Sequence, residues 1–399
     1  MPLSLDNIAF LQSDRAHEQL ESLASADLSD ANILPLLSRL RRSFTARQAA
    51  ALLTTLRLRK AAKTKFPEHG ERMLFTDAGL QQASGPLLRL YRARQFESRR
   101  LLDLCCGIGA DSLAFAAADR EVHGLDIDPV RIAIARHNAS LLRLPARFSV
   151  CDIRAGIPSA YDAIFFDPAR RDSQDRRIQH VEAYIPPLSL ARKWRAREIA
   201  VKLSPGVNLR QVAEYGGSLE FISAQGRLSE ALLWLHRDFA QPVATLLRGA
   251  DALRLRDDGA QGIAVTAPRA WLLEPDPAVL RAGLVQTLAR QLGASMLDAS
   301  IAYLTSDQPV QTAWARSWKI REWLPFQLKR LRRHLQARGI GRVTVKKRGF
   351  AMQPDELIAR LRLSGEGDAC VLVMTRCRGK AIAILCDEAK LGQFPRNSL

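Results

Sequence analysis

The chain of 399 residues is poor in several of the residue patterns that mark common protein classes. It has six cysteines, none in a C-x-x-C pair. That excludes a zinc ribbon, a C-x3-C-x-x-C iron–sulfur site and a disulfide scaffold, and it suits a reducing, cytoplasmic setting. Seven histidines are scattered without an H-x-x-x-H pair, so no metal site is expected. No apolar run approaches the roughly 18–20 residues of a membrane span. The first eleven residues carry Asp6 and no basic start ahead of an apolar stretch, which reads against a secretory signal and a membrane partner. Internal repeats and low-complexity tracts are missing as well.

What is present is 47% apolar and 25% charged sequence, the proportions of an ordinary globular protein with room for two or three domains. The charge is unevenly spread. Lys plus Arg number 59 against 41 Asp plus Glu, a formal net charge of +18. Residues 101–240 are nearly neutral, with 18 basic and 17 acidic side chains; residues 1–100 hold 16 and 10, and residues 241–399 hold 25 and 14. From Ala31 to Pro67 there are nine basic residues and no acid, and from Arg316 to Arg348 twelve basic residues and one acid, Glu322. Solvated helix faces would account for either run alone. Two runs flanking a neutral middle, the second beside Trp314, Trp318 and Trp323, suit phosphate contact with base stacking, so a polyanion is the expected partner, RNA ahead of DNA.

Periodicity divides the chain further. Apolar residues at three- and four-residue steps (Leu34, Leu37, Leu40, Phe44; Ala49, Leu52, Leu53, Leu56) predict helices in the first hundred residues. From Arg99 the texture changes to strands alternating with helices: strand Leu101–Cys105, helix Asp111–Ala118, strand Glu121–Asp126, helix Pro129–Leu142, then strands Arg147–Cys151 and Ala163–Phe166. A helix around Arg176–Leu190, strand Ile199–Leu203 and a helix from Asn208 follow. Such alternation predicts a parallel sheet covered on both faces. Ser218–Ala224 and Ala231–His236 read as an antiparallel hairpin closing one edge. Beyond Pro242, strands are expected at Thr245–Arg256 and Gly262–Thr266 and a helix at Asp276–Gln291. The tail reads as helix Phe326–Arg338, strand Arg342–Lys346, helix Pro354–Leu361, and strands Ala369–Thr375 and Ala381–Cys386, loose from about Gly392.

The strongest chemical signal is LLDLCCGIGADSLAFA, Leu101 to Ala116. A strand runs through Asp103 into Gly107-x-Gly109 and then a helix, a turn that leaves room for a ligand at the helix start. A dinucleotide fingerprint would place a third glycine where Ser112 stands, which disfavours a nicotinamide cofactor. Asp126 ends the second strand, where an acid can accept bonds from both ribose hydroxyls, with Ile127 next to it. Asp152 follows the third strand, where its carboxylate and the Ile153 amide suit an adenine edge. The fourth strand ends in Phe166-Asp167-Pro168-Ala169-Arg170-Arg171. Ligands of open α/β sheets bind beyond the carboxyl ends of strands, so these acids are expected to face one crevice.

On these motifs residues 99–240 resemble a class I S-adenosylmethionine-dependent methyltransferase, with CCGIGADSLAFA and GLDIDPVRIAIARHNA similar to the trimethylguanosine synthase branch. The tail segment VKKRGFAMQPDELIARLRL resembles the THUMP-like domain that follows such modules in a bacterial methyltransferase family, and TKFPEHGERMLFTDAGLQQAS resembles that family's pre-module segment. The resemblance implies an α/β fold: a seven-stranded, mostly parallel, doubly wound sheet with an N-terminal helical domain and a C-terminal α+β THUMP-like domain. The implied domains are 1–98 (helical and pre-module), 99–240 (methyltransferase), 241–324 (connecting) and 325–392 (THUMP-like).

It also implies roles. S-adenosylmethionine would be held by Asp103, Cys105, Gly107, Gly109, Asp126, Ile127, Asp152 and Ile153, and Asp167, Pro168 and Arg170 would be the catalytic residues of the fourth strand end. Arg170 and Arg171 would clamp a phosphate or carboxylate, or form a surface pair. Ala169 and Arg170 stand where enzymes methylating exocyclic base nitrogens carry proline and an aromatic residue. The Asp-Pro-Pro-Arg of uridine C5 methyltransferases is nearer, but Lys202-Leu203-Ser204-Pro205 has no cysteine nucleophile. Lys202 is expected either in the cleft or paired with a carboxylate. Lys65, Phe75, Thr76 and Gln82 would form a lid, although helix packing is as good a role for Phe75. Lys329, Arg330, Arg332 and Arg333 are expected on the RNA-binding face. The resulting expectation is an RNA methyltransferase acting on rRNA or tRNA, a base nitrogen first. The alternatives are methylation of a protein or small molecule, and a non-catalytic RNA-binding protein that keeps the fold.

Overall fold

Four helices open the chain in this computed structural model, which describes residues 3–159, 161–172, 174, 176–235, 237, 241–259 and 261–387. The expected strand end at His236, the last five residues of the expected 325–392 domain and the expected loose tail from Gly392 lie outside the described residues. The helices are α1 Leu5–Leu11, α2 Asp14–Ser22, α3 Asp30–Leu40 and α4 Ala46–Ala62. Local chemistry sets their starts. Ser4 and Thr45 each form a reciprocal capping box with the residue three on, satisfying backbone N–H groups that have no partner inside the helix. Helix α4 runs through the middle of this domain, burying Leu52, Leu53, Leu56 and Leu58. Two shorter helices follow, α5 Asp77–Gln82 and α6 Pro86–Gln95.

The alternating region folds as the periodicity predicts. Strands β1 Arg100–Leu104, β2 Glu121–Asp126, β3 Ala146–Val150, β4 Ala163–Phe166 and β5 Glu198–Leu203 are parallel, in the order β3-β2-β1-β4-β5. Helices α7 Ala110–Ala117 and α8 Pro129–Leu141 cross between β1 and β2 and between β2 and β3. The expected helix over 176–190 is not formed. Pro186 and Pro187 interrupt it, and the segment instead makes antiparallel bridges, Ala169 with Ile185 and Arg171 with Arg177, with short 3-10 turns at Val181–Ala183 and Leu188–Lys193. A four-residue helix, α9 Leu209–Val212, follows β5.

The sheet has nine strands rather than seven. After β6 Ser218–Ala224 and β7 Arg227–Trp234, the single strand expected over 245–256 is a hairpin, β8 Val243–Arg248 and β9 Asp251–Leu255, and the order is β3-β2-β1-β4-β5-β7-β6-β8-β9. The β6–β7 hairpin therefore does not close the edge.

By contact density the chain forms two units, one up to Ser218 with the stretch starting at Glu230, the other taking Leu219–Ser229 and the remainder. The second unit contains a further sheet of seven strands in the order β11-β12-β10-β13-β16-β15-β14. These are β10 Trp271–Pro275, β11 Ser295–Asp298, β12 Ile301–Ser306, β13 Ala315–Pro325, β14 Ile340–Lys347, β15 Asp368–Cys377 and β16 Lys380–Cys386. The tail elements fall where expected, but β10 to β13 are additional to the expected strands, and β13 pairs with β16, so the connecting region shares a sheet with the tail. Gly262–Thr266 contributes one bridge, Val265 with Met296, not a strand. The helix expected over 276–291 is two, α10 Pro277–Arg281 and α11 Val285–Gln291, separated at Gly283 in the left-handed region. Helices α12 Leu328–Ala337 and α13 Pro354–Leu361 bury Leu331, Leu335, Leu357 and Leu361 with the apolar residues of β15 and β16. Among the described residues no helix is long and apolar enough to cross a membrane, and no group of three or more His, Cys, Asp or Glu is placed to hold a metal.

Candidate functional site

Parallel registry brings the carboxyl ends of five strands side by side. Leu104 of β1 lies between Leu125 of β2 and Phe166 of β4, Asp126 lies opposite Val150 of β3, and Phe166 opposite Val201 of β5. The expected residues therefore follow one another along a rim: Asp152 after β3, Asp126 closing β2, the glycine turn after β1, Asp167 after β4, and Lys202 near the end of β5. Asp126 and Asp152 are close neighbours, since the Cys151 N–H donates to the Asp126 carbonyl at 2.9 Å.

The turn after β1 is strained in the way a ligand loop requires. Cys105, Gly107 and Gly109 all have positive φ, at 61°, 58° and 78°. A Cβ at Gly107 would meet nothing within 4 Å, so the backbone there faces open space; at Gly109 it would touch Ala135 and Phe148 at 3.0–3.2 Å. Asp126 fastens this turn: one carboxylate oxygen accepts the Gly107 N–H at 2.9 Å, the other the Asp128 N–H at 3.0 Å. A carboxylate has about four lone-pair positions, so both oxygens keep capacity for a ligand's hydroxyls. Ile127 beside it is 60% exposed, while the Ile153 side chain is buried. Asp152 is held differently, gripped by the Arg154 guanidinium at 2.6–3.1 Å, which keeps its carboxyl below the ordinary value.

Asp103 lies beneath the turn, 1% exposed. Ser112 donates to one of its oxygens, and the other, Oδ1, is buried with no hydrogen-bond partner. Burial first, then the neighbouring Asp111, pushes its carboxyl well above the ordinary value. A buried acceptor left without a donor is costly unless a ligand supplies one. The cationic amino-acid end of S-adenosylmethionine is such a donor, so Asp103, the open backbone at Gly107, and Asp126 fit that cofactor. Burial likewise pushes the Cys105 and Cys106 thiols up, away from the thiolate form.

The other side of the rim is an ion pair. Lys202, 3% exposed, places Nζ 2.6 Å from Asp167 Oδ2, settling its two expected roles in favour of the carboxylate. Pro168 is buried. Arg170 is not a free clamp: it donates to the Leu203 carbonyl at 3.0 Å, and Ala169 exchanges two backbone hydrogen bonds with Ile185, tying the segment to the end of β5. Arg171 sits in the exposed bridge to Arg177.

The pre-module segment does reach this turn. Gly79 of α5 packs on Ile108, so closely that a Cβ would come within 2.6 Å of Ile108 Cγ2. Asn138 of α8 exchanges hydrogen bonds with the Leu74 backbone at 2.9 and 3.0 Å. Thr76 caps α5 by accepting the Gly79 N–H, and Lys65 donates to the Leu80 and Gln81 carbonyls at 2.8 and 2.7 Å. Phe75 is a core residue, 1% exposed and packed on Phe66, so packing and not substrate contact is its role.

Behind the rim lies a group that no sequence pattern announced. Arg92 of α6 is fully buried between Asp111, which accepts from Nε at 3.2 Å and from Nη2, and Glu230 of β7, at 2.5–2.6 Å. In the second unit, Lys329, Arg330 and Arg333 are exposed on α12, whereas Arg332 turns back to the Arg360 carbonyl. A separate hollow, lined by Arg192, Trp194, Ile199 and Tyr215, lies by the start of β5, away from these strand ends.

Comparison with known proteins bears on the family and the fold. Residues 101–178 match the family model described as a methyltransferase domain, residues 315–388 one described as THUMP domain-like, and residues 4–62 a domain of unknown function. Two sequences from Mycobacterium tuberculosis, of strains CDC 1551 / Oshkosh and ATCC 25618 / H37Rv, are each 35% identical over 338 residues. The match covers 82% of this chain and 92% of either relative, and both are named uncharacterized S-adenosylmethionine-dependent methyltransferases. The crystal structure of a Porphyromonas gingivalis W83 protein assigned to the methyltransferases shares the fold, with a TM-score of 0.79 and 21% identity over 98% of this chain and all of that one.

Proposed function

The chain belongs to the S-adenosylmethionine-dependent methyltransferases, and on that premise we propose that its acceptor is RNA, methylated at a base nitrogen that Asp167 orients. The bound cofactor supplies an electrophilic sulfonium methyl. Asp126 would hold its ribose hydroxyls, Ile127 and Asp152 would flank its adenine, with Arg154 yielding or sharing the Asp152 carboxylate, and Asp103 would receive its ammonium end.

The observation that carries the reading is the Asp167–Lys202 pair. In-line displacement at a methyl group needs alignment and exclusion of water more than strong acid–base help. Asp167 follows β4, the strand next to β1 and its glycine turn, and Lys202 fixes one of its oxygens. The oxygen left over can accept an N–H from the incoming amine and hold the nitrogen lone pair toward the methyl group. Arg170 steadies this strand end by its bond to Leu203. The exposed cations Lys329, Arg330 and Arg333 on α12 support a polyanionic acceptor.

The test is transfer of a tritiated methyl group from the cofactor into cell fractions treated with ribonuclease or protease. Label removed by ribonuclease alone supports RNA. Label removed by protease alone would replace RNA with a protein acceptor.

A further inference from the structure

The basic run between Ala31 and Pro67 finds no use in the cofactor site, and its placement on the fold is specific. Arg59 is spent internally, donating to the Met73 and Arg72 carbonyls, and Lys65 holds α5. The remaining cations are exposed, and none of Arg39, Arg41, Arg42, Arg47, Arg57, Lys60 or Lys63 makes an ion pair among the described residues. Helix α4 is buried on most of its circumference. The face left open runs Arg47, Ala50, Thr54, Arg57, Ala61, at steps of three and four residues, with Lys60 alongside. Every charged side chain on that face is positive.

The stripe also has a direction. From Arg47 to Lys60 the helix rises about 20 Å, and Lys63 and Lys65 extend it past the helix end. Lys65 grips the carbonyl end of α5, and α5 lies against Ile108 in the glycine turn. Lys202 is near enough that its charge, after burial and Arg89, helps hold the Lys65 ammonium below its ordinary value. Lys202 in turn pairs with Asp167. Exposed cations thus run along one helix, and Lys65 and α5 connect the end of that helix to the glycine turn, all within the first unit.

We infer that the open face of α4 is an RNA track, which takes the phosphate backbone of the acceptor strand and feeds the target nucleotide to Asp167. This rests on the reading of RNA as acceptor and adds where the strand lies. Length and charge fit: about 20 Å of helix spans on the order of six phosphates at nucleic-acid rise. Within the helix the stripe carries no acid, and the carboxylate that reaches it, Asp27, acts on Lys60 at one end only; so uniform a run of cations fits a continuous polyanion better than a folded acidic protein, whose charges come interspersed with cations.

The experiment uses the full chain and a fluorescent 20-nucleotide single-stranded RNA of mixed sequence, with titrations across a salt series. The variant Arg47→Glu/Arg57→Glu/Lys60→Glu is compared with Lys329→Glu/Arg330→Glu/Arg333→Glu on α12 and with wild type. All three are also titrated with S-adenosylhomocysteine, which reports an intact catalytic unit. The inference expects the α4 variant to bind the RNA at least tenfold more weakly and to lose methyl transfer to total RNA, with S-adenosylhomocysteine affinity unchanged. A milder triple change to Gln should lower the slope of log affinity against log salt by about 2, for three lost contacts on a single strand. Wild-type RNA binding and methyl transfer in the α4 variants would overturn the track while leaving RNA as acceptor. A wild type that neither binds RNA nor labels it would overturn both.

Discussion

Lys202 Nζ lies 2.6 Å from Asp167 Oδ2, joining the ends of adjacent strands β5 and β4 through a nearly buried ammonium and a carboxylate that is one quarter exposed. A buried cation with one carboxylate partner serves to fix that carboxylate in place, which is what an acceptor-orienting group needs.

Replacing Lys202 by Met should therefore cut the rate of methyl transfer by about 10²-fold, the scale of a small misplacement at a reacting centre, with cofactor affinity little changed. Lys202→Arg, which keeps the charge, should recover part of the rate. Rates of wild type and both variants at saturating cofactor decide it; equal rates in all three would remove Asp167 orientation from the account.

Asp126→Asn keeps the shape and removes the charge that receives the Gly107 and Asp128 N–H groups. S-adenosylhomocysteine should bind about 10–100-fold more weakly, the range of one or two charge-assisted hydrogen bonds. Calorimetry reads this directly, and unchanged affinity would place the ribose elsewhere.

Asp103, proposed to receive the cofactor's ammonium end, also bears on stability. Its folded-state carboxyl titrates well above the ordinary 3.8 because it is buried beside Asp111, so the folded protein holds a proton that the unfolded chain has released. That contribution is full below the unfolded value and is lost as pH rises through the folded one. Asp103→Asn should remove this part of the pH dependence and raise the melting temperature at neutral pH, yet weaken cofactor binding. Thermal melts from pH 4 to 8, with and without S-adenosylhomocysteine, test both halves. A variant that binds as tightly as wild type would show that Asp103 has only a structural role.

Much of this arrangement could be read in advance, and what could not has a physical explanation. The rim residues were legible because strand ends, a glycine turn and a helix start are local features, and the parallel sheet converts their order into neighbourhood. The tail elements were legible for the same reason. The segment 176–190 has helical spacing of apolar residues, but Pro186 and Pro187 and the bridge from Ile185 to Ala169 override it. Strands β10 to β13 take their partners from non-local pairing, which short-range periodicity does not encode. The ion pairs were equally hidden: Lys202 and Asp167 are 35 residues apart, Arg92 and Glu230 are 138.

Arg92→Met tests the second of these. It leaves Asp111 and Glu230 buried without their shared cation, so urea unfolding should show a loss of about 3–5 kcal/mol. A loss below about 1 kcal/mol would mean that water or relaxation replaces the guanidinium.

The most direct measurement is mass spectrometry of nucleosides from total RNA of cells with and without this protein. The account predicts that one methylated base disappears when the protein is absent and returns with wild type but not with Asp167→Ala. Identical nucleoside profiles in all samples, from cells in which the purified enzyme still transfers methyl groups to another fraction, would contradict it.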